Sequence, residues 1–180
     1  MSRVRITGGE WRSRLVKVLD APGLRPTPDR VRETLFNWLG QDLAGLDCLD
    51  LFAGSGILGF EAASRGAASV TQVETDRRVF DTLSQNAASL SADRLKPVCA
   101  DALKFAASAG TQGRRFNLVF LDPPYRQGWL ERIEPHLAGL AKPGMRIYAE
   151  AEHALESLGA WRTVRRGQAG QVFFHLMEHE

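Results

Sequence analysis

Cys48-Leu-Asp-Leu-Phe-Ala-Gly-Ser-Gly-Ile-Leu-Gly59 reads as a short apolar strand that runs into a glycine turn, followed at once by a helix. Glycines at 54 and 56 permit backbone angles that a side chain would forbid, and leave the amides bare enough for a ligand to lie against them. Gly59 allows the helix to pack close to the strand. The run Gly54-Ser-Gly56-Ile-Leu-Gly59 also fits the dinucleotide fingerprint, and Glu74 sits about 20 residues on, where a ribose-binding carboxylate belongs. The stretch therefore specifies a nucleoside cofactor without saying which one.

A second stretch narrows the choice. Asp122-Pro123-Pro124-Tyr125 follows the apolar run Phe116-Asn-Leu-Val-Phe-Leu121, so it is expected at a strand's carboxyl end, on the same rim as the glycine turn. With proline at about 5% of residues, an Asp/Asn-Pro-Pro-aromatic tetrapeptide arises by chance in roughly one chain per thousand of this size.

Together these stretches resemble S-adenosylmethionine-dependent methyltransferases that modify exocyclic amino groups. The chain as a whole looks like the bacterial 16S ribosomal RNA guanine-N2 methyltransferase family of the RsmD type. The closer match rests on Arg25-Pro-Thr-Pro-Asp-Arg-Val-Arg-Glu-Thr-Leu-Phe-Asn-Trp-Leu39, Asp50-Leu-Phe-Ala-Gly-Ser-Gly56 and Asp122-Pro-Pro-Tyr125, which occur in the family's order through most of the chain. The resemblance implies an α/β fold of the Rossmann-like class I methyltransferase kind: a seven-stranded mixed sheet with helices on both faces, an antiparallel terminal hairpin and an N-terminal β-hairpin extension.

It also implies roles for residues. S-adenosyl-L-methionine would be held by Asp50, near its ammonium group, by the loop Phe52, Ala53, Gly54, Ser55 and Gly56, by Glu74 and Thr75 at the ribose, and by Asp101 and Ala102 at the adenine, with Asp122 adjoining. Asp122, Pro123, Pro124 and Tyr125 would be catalytic. The Asp122 carboxylate and the Pro123 carbonyl accept hydrogen bonds from the amino protons and offset the charge developing on nitrogen, while Tyr125 offers a flat face to the base. The target RNA would meet Arg3, Arg5, Arg12, Arg14, Arg25, Thr27, Arg32 and Asn37, and no metal is needed.

Composition is compatible with this. A length of 180 residues suits one domain, with residues 1–26 as a basic hairpin and loop and 27–180 as the catalytic core. Hydrophobic residues make up 44% and charged residues 24%, and no apolar run is long enough to cross a bilayer. Met-Ser-Arg-Val-Arg lacks the apolar core of a secretory signal. Cys48 and Cys99 lie in strand-like surroundings and are expected as buried, reduced thiols of a cytoplasmic protein. There is no His/Cys cluster with metal-ligand spacing. The formal charge of +2 hides an asymmetry: residues 1–32 carry eight basic against three acidic residues, and the remainder is net negative. Such a front suits a polyanion contacted through its phosphates, here 16S ribosomal RNA in the small ribosomal subunit or its assembly intermediate, bound by a monomer; a merely solvated basic face is the bland alternative.

Along the chain, Arg3-Val-Arg-Ile6 and Arg14-Leu-Val-Lys-Val-Leu19 read as a hairpin around Thr7-Gly-Gly9. Trp11 at its tip either stacks on a base or covers the hairpin. Thr27 as cap, Pro28 at the first helical position and Gly40 frame a helix whose inward stripe is Val31, Leu35, Trp38 and Leu39, with Arg32, Phe36 and Asn37 turned away. Strands are expected over Ser69–Glu74, Leu95–Cys99 and Met145–Glu150, and helices over 76–90 and 129–140. Gly110 to Arg115 reads as a loop. Trp161–Arg166 and Gln171–Met177 flank a turn at Gly167-Gln-Ala-Gly170. Asp50, Glu74 and Asp101 close three successive strands. Alternative readings are methylation of DNA at adenine N6 or cytosine N4, of another RNA or of a protein glutamine; a nicotinamide-dependent oxidoreductase, which leaves Asp-Pro-Pro-Tyr unexplained; and a silent RNA-binding protein, against which the intact Asp122 and Tyr125 argue.

Overall fold

The computed structural model of the chain describes residues 1–90 and 93–180. A two-stranded antiparallel hairpin, β1 (Ser2–Arg5) and β2 (Leu15–Val18), precedes α1 (Asp29–Leu39). Strands and helices then alternate through β3 (Asp47–Asp50), α2 (Ile57–Ser64), β4 (Ser69–Glu74), α3 (Arg77–Ser89), β5 (Leu95–Cys99), α4 (Ala102–Thr111), β6 (Phe116–Leu121), α5 (Trp129–Leu140) and β7 (Ala141–Ala151). Three antiparallel strands finish the chain: β8 (Ser157–Leu158), β9 (Trp161–Ala169) and β10 (Val172–His179).

The main sheet has the order β5-β4-β3-β6-β7-β10-β9-β8, parallel from β5 to β7. Seven of its strands are those of the expected methyltransferase sheet, and the eighth is the two-residue edge strand β8. Strand order reverses between β3 and β6, and such a switch point opens a crevice at the carboxyl ends of the strands. Strand β6 is apolar on both faces because both are covered. Leu118 and Phe120 pack with α1, α2 and α3, whereas Val119 and Leu121 pack with α4 and α5.

Local expectations hold for β4, β5 at the sheet edge, α3 and α5, and fail in places with physical causes. Helix α1 starts at Asp29 with Pro28 as its cap, and Thr27 makes no cap hydrogen bond because its hydroxyl is engaged elsewhere. Arg32 and Phe36 are fully buried while Trp38 is half-buried, since α1 is covered on two sides, by the sheet and by the hairpin with α2. Phe36 lies between Phe120, at 6.3 Å, and the Arg65 guanidinium, at 4.1 Å.

Gly110 belongs to α4 and faces Gly139 of α5, with room there only for small residues. The terminal turn is Gly170-Gln171, so Gly167 stays in β9, where a Cβ would stand 2.3 Å from the ring of its cross-strand partner Phe174. Cys48 is buried, but Cys99 on the edge strand is exposed. Trp11 covers the hairpin: its ring is buried under the Arg94 guanidinium, 4.6 Å from the ring centre.

Candidate functional site at the strand carboxyl ends

The glycine turn forms as its sequence dictates. Gly54 and Gly56 adopt φ of 54° and 83°, and the Gly56 amide donates to the Ala53 carbonyl at 2.8 Å. A Cβ on Gly56 would lie 2.3 Å from Leu83. Gly59 meets β4 closely enough that a Cβ would stand 2.5 Å from Gln72 Nε2, the group that donates to the Gly56 carbonyl at 3.0 Å. Glu74 closes the turn, accepting from Gly54 N at 3.0 Å and from Asp76 N at 2.7 Å. Its remaining lone pairs are those a diol would use. Leu24 of the N-terminal segment hangs over the turn, 3.0 Å from where a Gly54 Cβ would be.

Asp50 ends β3 almost completely buried, and among the described residues no donor reaches either carboxylate oxygen in hydrogen-bonding geometry. Burial pushes its carboxyl up to about 7; the Phe52 backbone works against this, and the negative fields of Glu74 and Glu150 add to it. An orphaned buried carboxylate beside bare amides and a diol acceptor fits a ligand that brings both a cation and a ribose, as S-adenosylmethionine does. Thr75 is exposed beside Glu74. Ser55 is buried, its hydroxyl accepting from Ile57 N at 3.3 Å, and half-buried Phe52 meets Trp129 edge-on with ring centres 5.4 Å apart. At the end of β5, Asp101 caps α4 by accepting from Lys104 N at 3.0 Å, and Ala102 is buried behind it.

Across the switch point, β6 delivers Asp122-Pro-Pro-Tyr125 to the same rim. Pro123 is buried, and Pro124 and Tyr125 are exposed. Burial foremost, with the charges of Glu150 and Asp50 and a hydrogen bond to Glu150, holds the Asp122 carboxyl well above the usual carboxylate range. The Tyr125 hydroxyl is pushed up to about 12, by burial first and then by the Glu150 and Asp122 charges, so it stays neutral. After the motif, Arg126 takes φ of 63°, and its amide is pinned at 2.6 Å by the Glu152 carboxylate. Left-handed backbone at a non-glycine residue beside a reactive loop is strain held by its surroundings.

Sequence reasoning missed Glu150, which is buried at the end of β7 and accepts from the Thr27 hydroxyl at 2.9 Å. The rule that picked out Asp50, Glu74 and Asp101, an acidic residue closing a strand, would have found it.

The residues expected at RNA divide into two groups. Arg3 and Arg5 are exposed on the outward face of the hairpin with Leu15 and Lys17, and Arg12, Arg14 and Arg25 are exposed as well. Arg14 donates to the Ser89 carbonyl at 3.2 Å. Thr27 and Arg32 are buried and cannot reach RNA. Arg32 spends its donors on the Thr27 carbonyl at 2.9 Å, the Arg5 carbonyl at 2.6 Å, Glu61 at 2.7 Å and Asp29. Asn37 is exposed near the far end of α1, whose last carbonyl, Leu39 O, accepts from Arg146 near the start of β7 at 3.5 Å; ten residues of helix place it roughly 15 Å from Thr27 and the rim.

The sequence profile of the family described as "Conserved hypothetical protein 95" matches residues 4–178. The chain is 46% identical to "Ribosomal RNA small subunit methyltransferase D" of Escherichia coli (strain K12), over 99% of its own length and 91% of that protein. It is 40% identical to the protein of the same name in Haemophilus influenzae, over 98% and 94% of the two chains. The solved structure of yhhF from Escherichia coli superposes with a TM-score of 0.88 at 44% identity, covering 99% of both chains. With its glycine turn and Asp-Pro-Pro-Tyr motif on one rim and this likeness running nearly end to end, the chain belongs to the conserved hypothetical protein 95 family, that of the ribosomal RNA small subunit methyltransferase D proteins.

Proposed function

We propose that this chain uses S-adenosyl-L-methionine to methylate the exocyclic N2 amino group of a guanine in 16S ribosomal RNA of the small subunit. The observation that carries the reading is the orphaned Asp50 carboxylate beside the glycine turn, on the same rim as Asp122-Pro-Pro-Tyr125 and at the point where strand order reverses. The names of the relatives, ribosomal RNA small subunit methyltransferase D, support a ribosomal RNA substrate.

When bound, the cofactor supplies an electrophilic methyl group on a sulfonium. Asp50 answers its ammonium charge, Phe52 to Gly56 line its methionine part, Glu74 with Thr75 receives the ribose hydroxyls, and Asp101 with Ala102 flanks the adenine. Asp122 and the Pro123 carbonyl accept from the target amine, which keeps its lone pair aimed and offsets positive charge on nitrogen. Pro124 stiffens the turn. Tyr125 stacks on the base, which has to leave its helix to enter. Arg3, Arg5, Arg12, Arg14 and Arg25, on the segment 1–26 and joined by Lys17, hold phosphates, and the body 27–180 performs the chemistry as a monomer in the cytoplasm.

Small subunits from cells lacking the protein, incubated with the chain and labelled cofactor and then mapped by mass spectrometry, should gain one methyl group on a guanine N2. Asp122→Ala should abolish the label while cofactor affinity changes little. Label on an adenine or cytosine amine, or on DNA in place of RNA, would sink the guanine assignment.

A further inference from the structure

Strands β6 and β7 run parallel with Leu121 beside Ala149, so the next residues, Asp122 and Glu150, stand side by side on neighbouring strands. Both point to the α1 side of the sheet, the side of Phe120 and Tyr148. In that register their carboxyl groups lie close enough for each to feel the other's charge. On its other side Glu150 Oε2 accepts from Thr27 Oγ1 at 2.9 Å, and Thr27 itself is fixed because Arg32 Nε donates to its carbonyl at 2.9 Å.

We propose that Glu150 is a positioning residue of the transfer site: anchored by the Thr27 hydroxyl, it holds the Asp122 carboxyl against the incoming amine. The docking of α1 thereby sets the geometry of the Asp122-Pro-Pro-Tyr125 turn. The inference rests on the reading of Asp122 as the amine acceptor.

Two carboxyls in contact inside a protein cannot both be charged at ordinary cost, so they hold a shared proton to higher pH than either would alone. The groups around the pair are the carboxylates of Asp50 and Glu152, the neutral Tyr125 and Tyr148 hydroxyls, and Thr27. Of these, Thr27 favours the charged form of Glu150, while the negative charges of Glu150 and Asp50 oppose that of Asp122. Both carboxyls of the pair are therefore raised, Asp122 well above the usual carboxylate range. Offsetting the positive charge that develops on the amine requires that Asp122 be ionised.

The consequences have opposite signs, which a purely structural role would not produce. In Glu150→Gln the neighbouring charge is gone, so Asp122 should ionise at a pH lower by about one unit or more. In Thr27→Val the ionised Glu150 loses its donor, so the titration of the pair should move upward; Thr27→Ser should restore it. Carbon-13 NMR of side-chain carboxyls in the full chain, recorded without cofactor or RNA and assigned with Asp122→Asn, reads these shifts directly. Methyl transfer to small subunits should follow, its acid limb moving to lower pH in Glu150→Gln and to higher pH in Thr27→Val. In both variants kcat should fall roughly 10- to 100-fold, as expected of a misaimed acceptor, with KM for the subunit held within about twofold. Folded variants whose Asp122 and Glu150 titrations and acid limbs stay where the wild-type values lie would overturn the proposal. If the carboxyl shifts occur as stated but the wild-type chain methylates no ribosomal RNA, the positioning role of Glu150 stands and the substrate assignment falls.

Discussion

Asp50 is a costly residue in the free chain, a carboxylate sealed from water with no donor in hydrogen-bonding geometry on either oxygen among the described residues. Burial pushes its carboxyl up to about 7 in the fold, from 3.8 for the ordinary side chain. A raised folded value means that the stabilising proton is fully present below about pH 4 and lost as pH rises through about 7, so this residue's contribution should weaken the free protein across that window. Asp50→Asn should remove that dependence and, at pH 8, melt a few degrees above the wild type while binding S-adenosylmethionine at least about 10-fold more weakly. Calorimetry at pH 5 and 8, with and without the cofactor, checks both; a variant that melts lower at pH 8 would contradict the burden assigned to Asp50. Tyr125 differs in that its hydroxyl stays neutral, and under the proposed function its ring face stacks on the base. Tyr125→Phe should retain activity within about threefold, and Tyr125→Ala should lose roughly 10-fold or more, the worth of one stacked base, in single-turnover transfer.

At the scale of elements, helix α2 joins the site to the rest of the chain. Its Glu61, fully buried, accepts from the Thr7 amide at 2.9 Å and hydroxyl at 2.8 Å, from Arg32 at 2.7 Å and from Arg65 at 2.8 Å, tying hairpin, α1 and α2 into one knot. Glu61→Ala leaves the buried Arg65 guanidinium without its counter-charge and Arg32 with Asp29 alone, and should cost about 3–5 kcal/mol in urea unfolding. Gly59→Ala drives a methyl group into Gln72 and displaces the amide that holds the Gly56 carbonyl, so stability and cofactor affinity should fall together; a drop in stability alone would show that the turn does not depend on Gln72. The sequence placed α2 and its glycine turn correctly because strand, turn and helix are coded within a dozen neighbouring residues. It misjudged α1 because a single-stripe pattern assumes one covered face, and here Arg32 is drawn inside by an acidic partner twenty-nine positions away.

For the whole molecule, charge is divided by position. The hairpin presents Arg3, Arg5 and Lys17 outward while the crevice gathers the carboxyl groups of Asp50, Glu74, Asp122 and Glu150, so basic and acidic side chains occupy different places on one surface. Neutralising Arg3, Arg5 and Lys17 together should weaken RNA binding and reduce the slope of log affinity against log salt by about 0.7–0.9 for each phosphate left without its cation; an unchanged slope would return the hairpin to a purely structural part. The succession of strands and helices, the glycine turn and the acidic residue at successive strand ends are all legible along the chain, because side-chain period and backbone freedom are local properties. Which of those carboxyls meet is a property of the folded molecule alone. Thr27, Asp122 and Glu150 come together because β7 pairs in parallel with β6 and α1 folds back across the sheet, and a pairing set by strand neighbours and helix docking leaves no periodic trace in the chain.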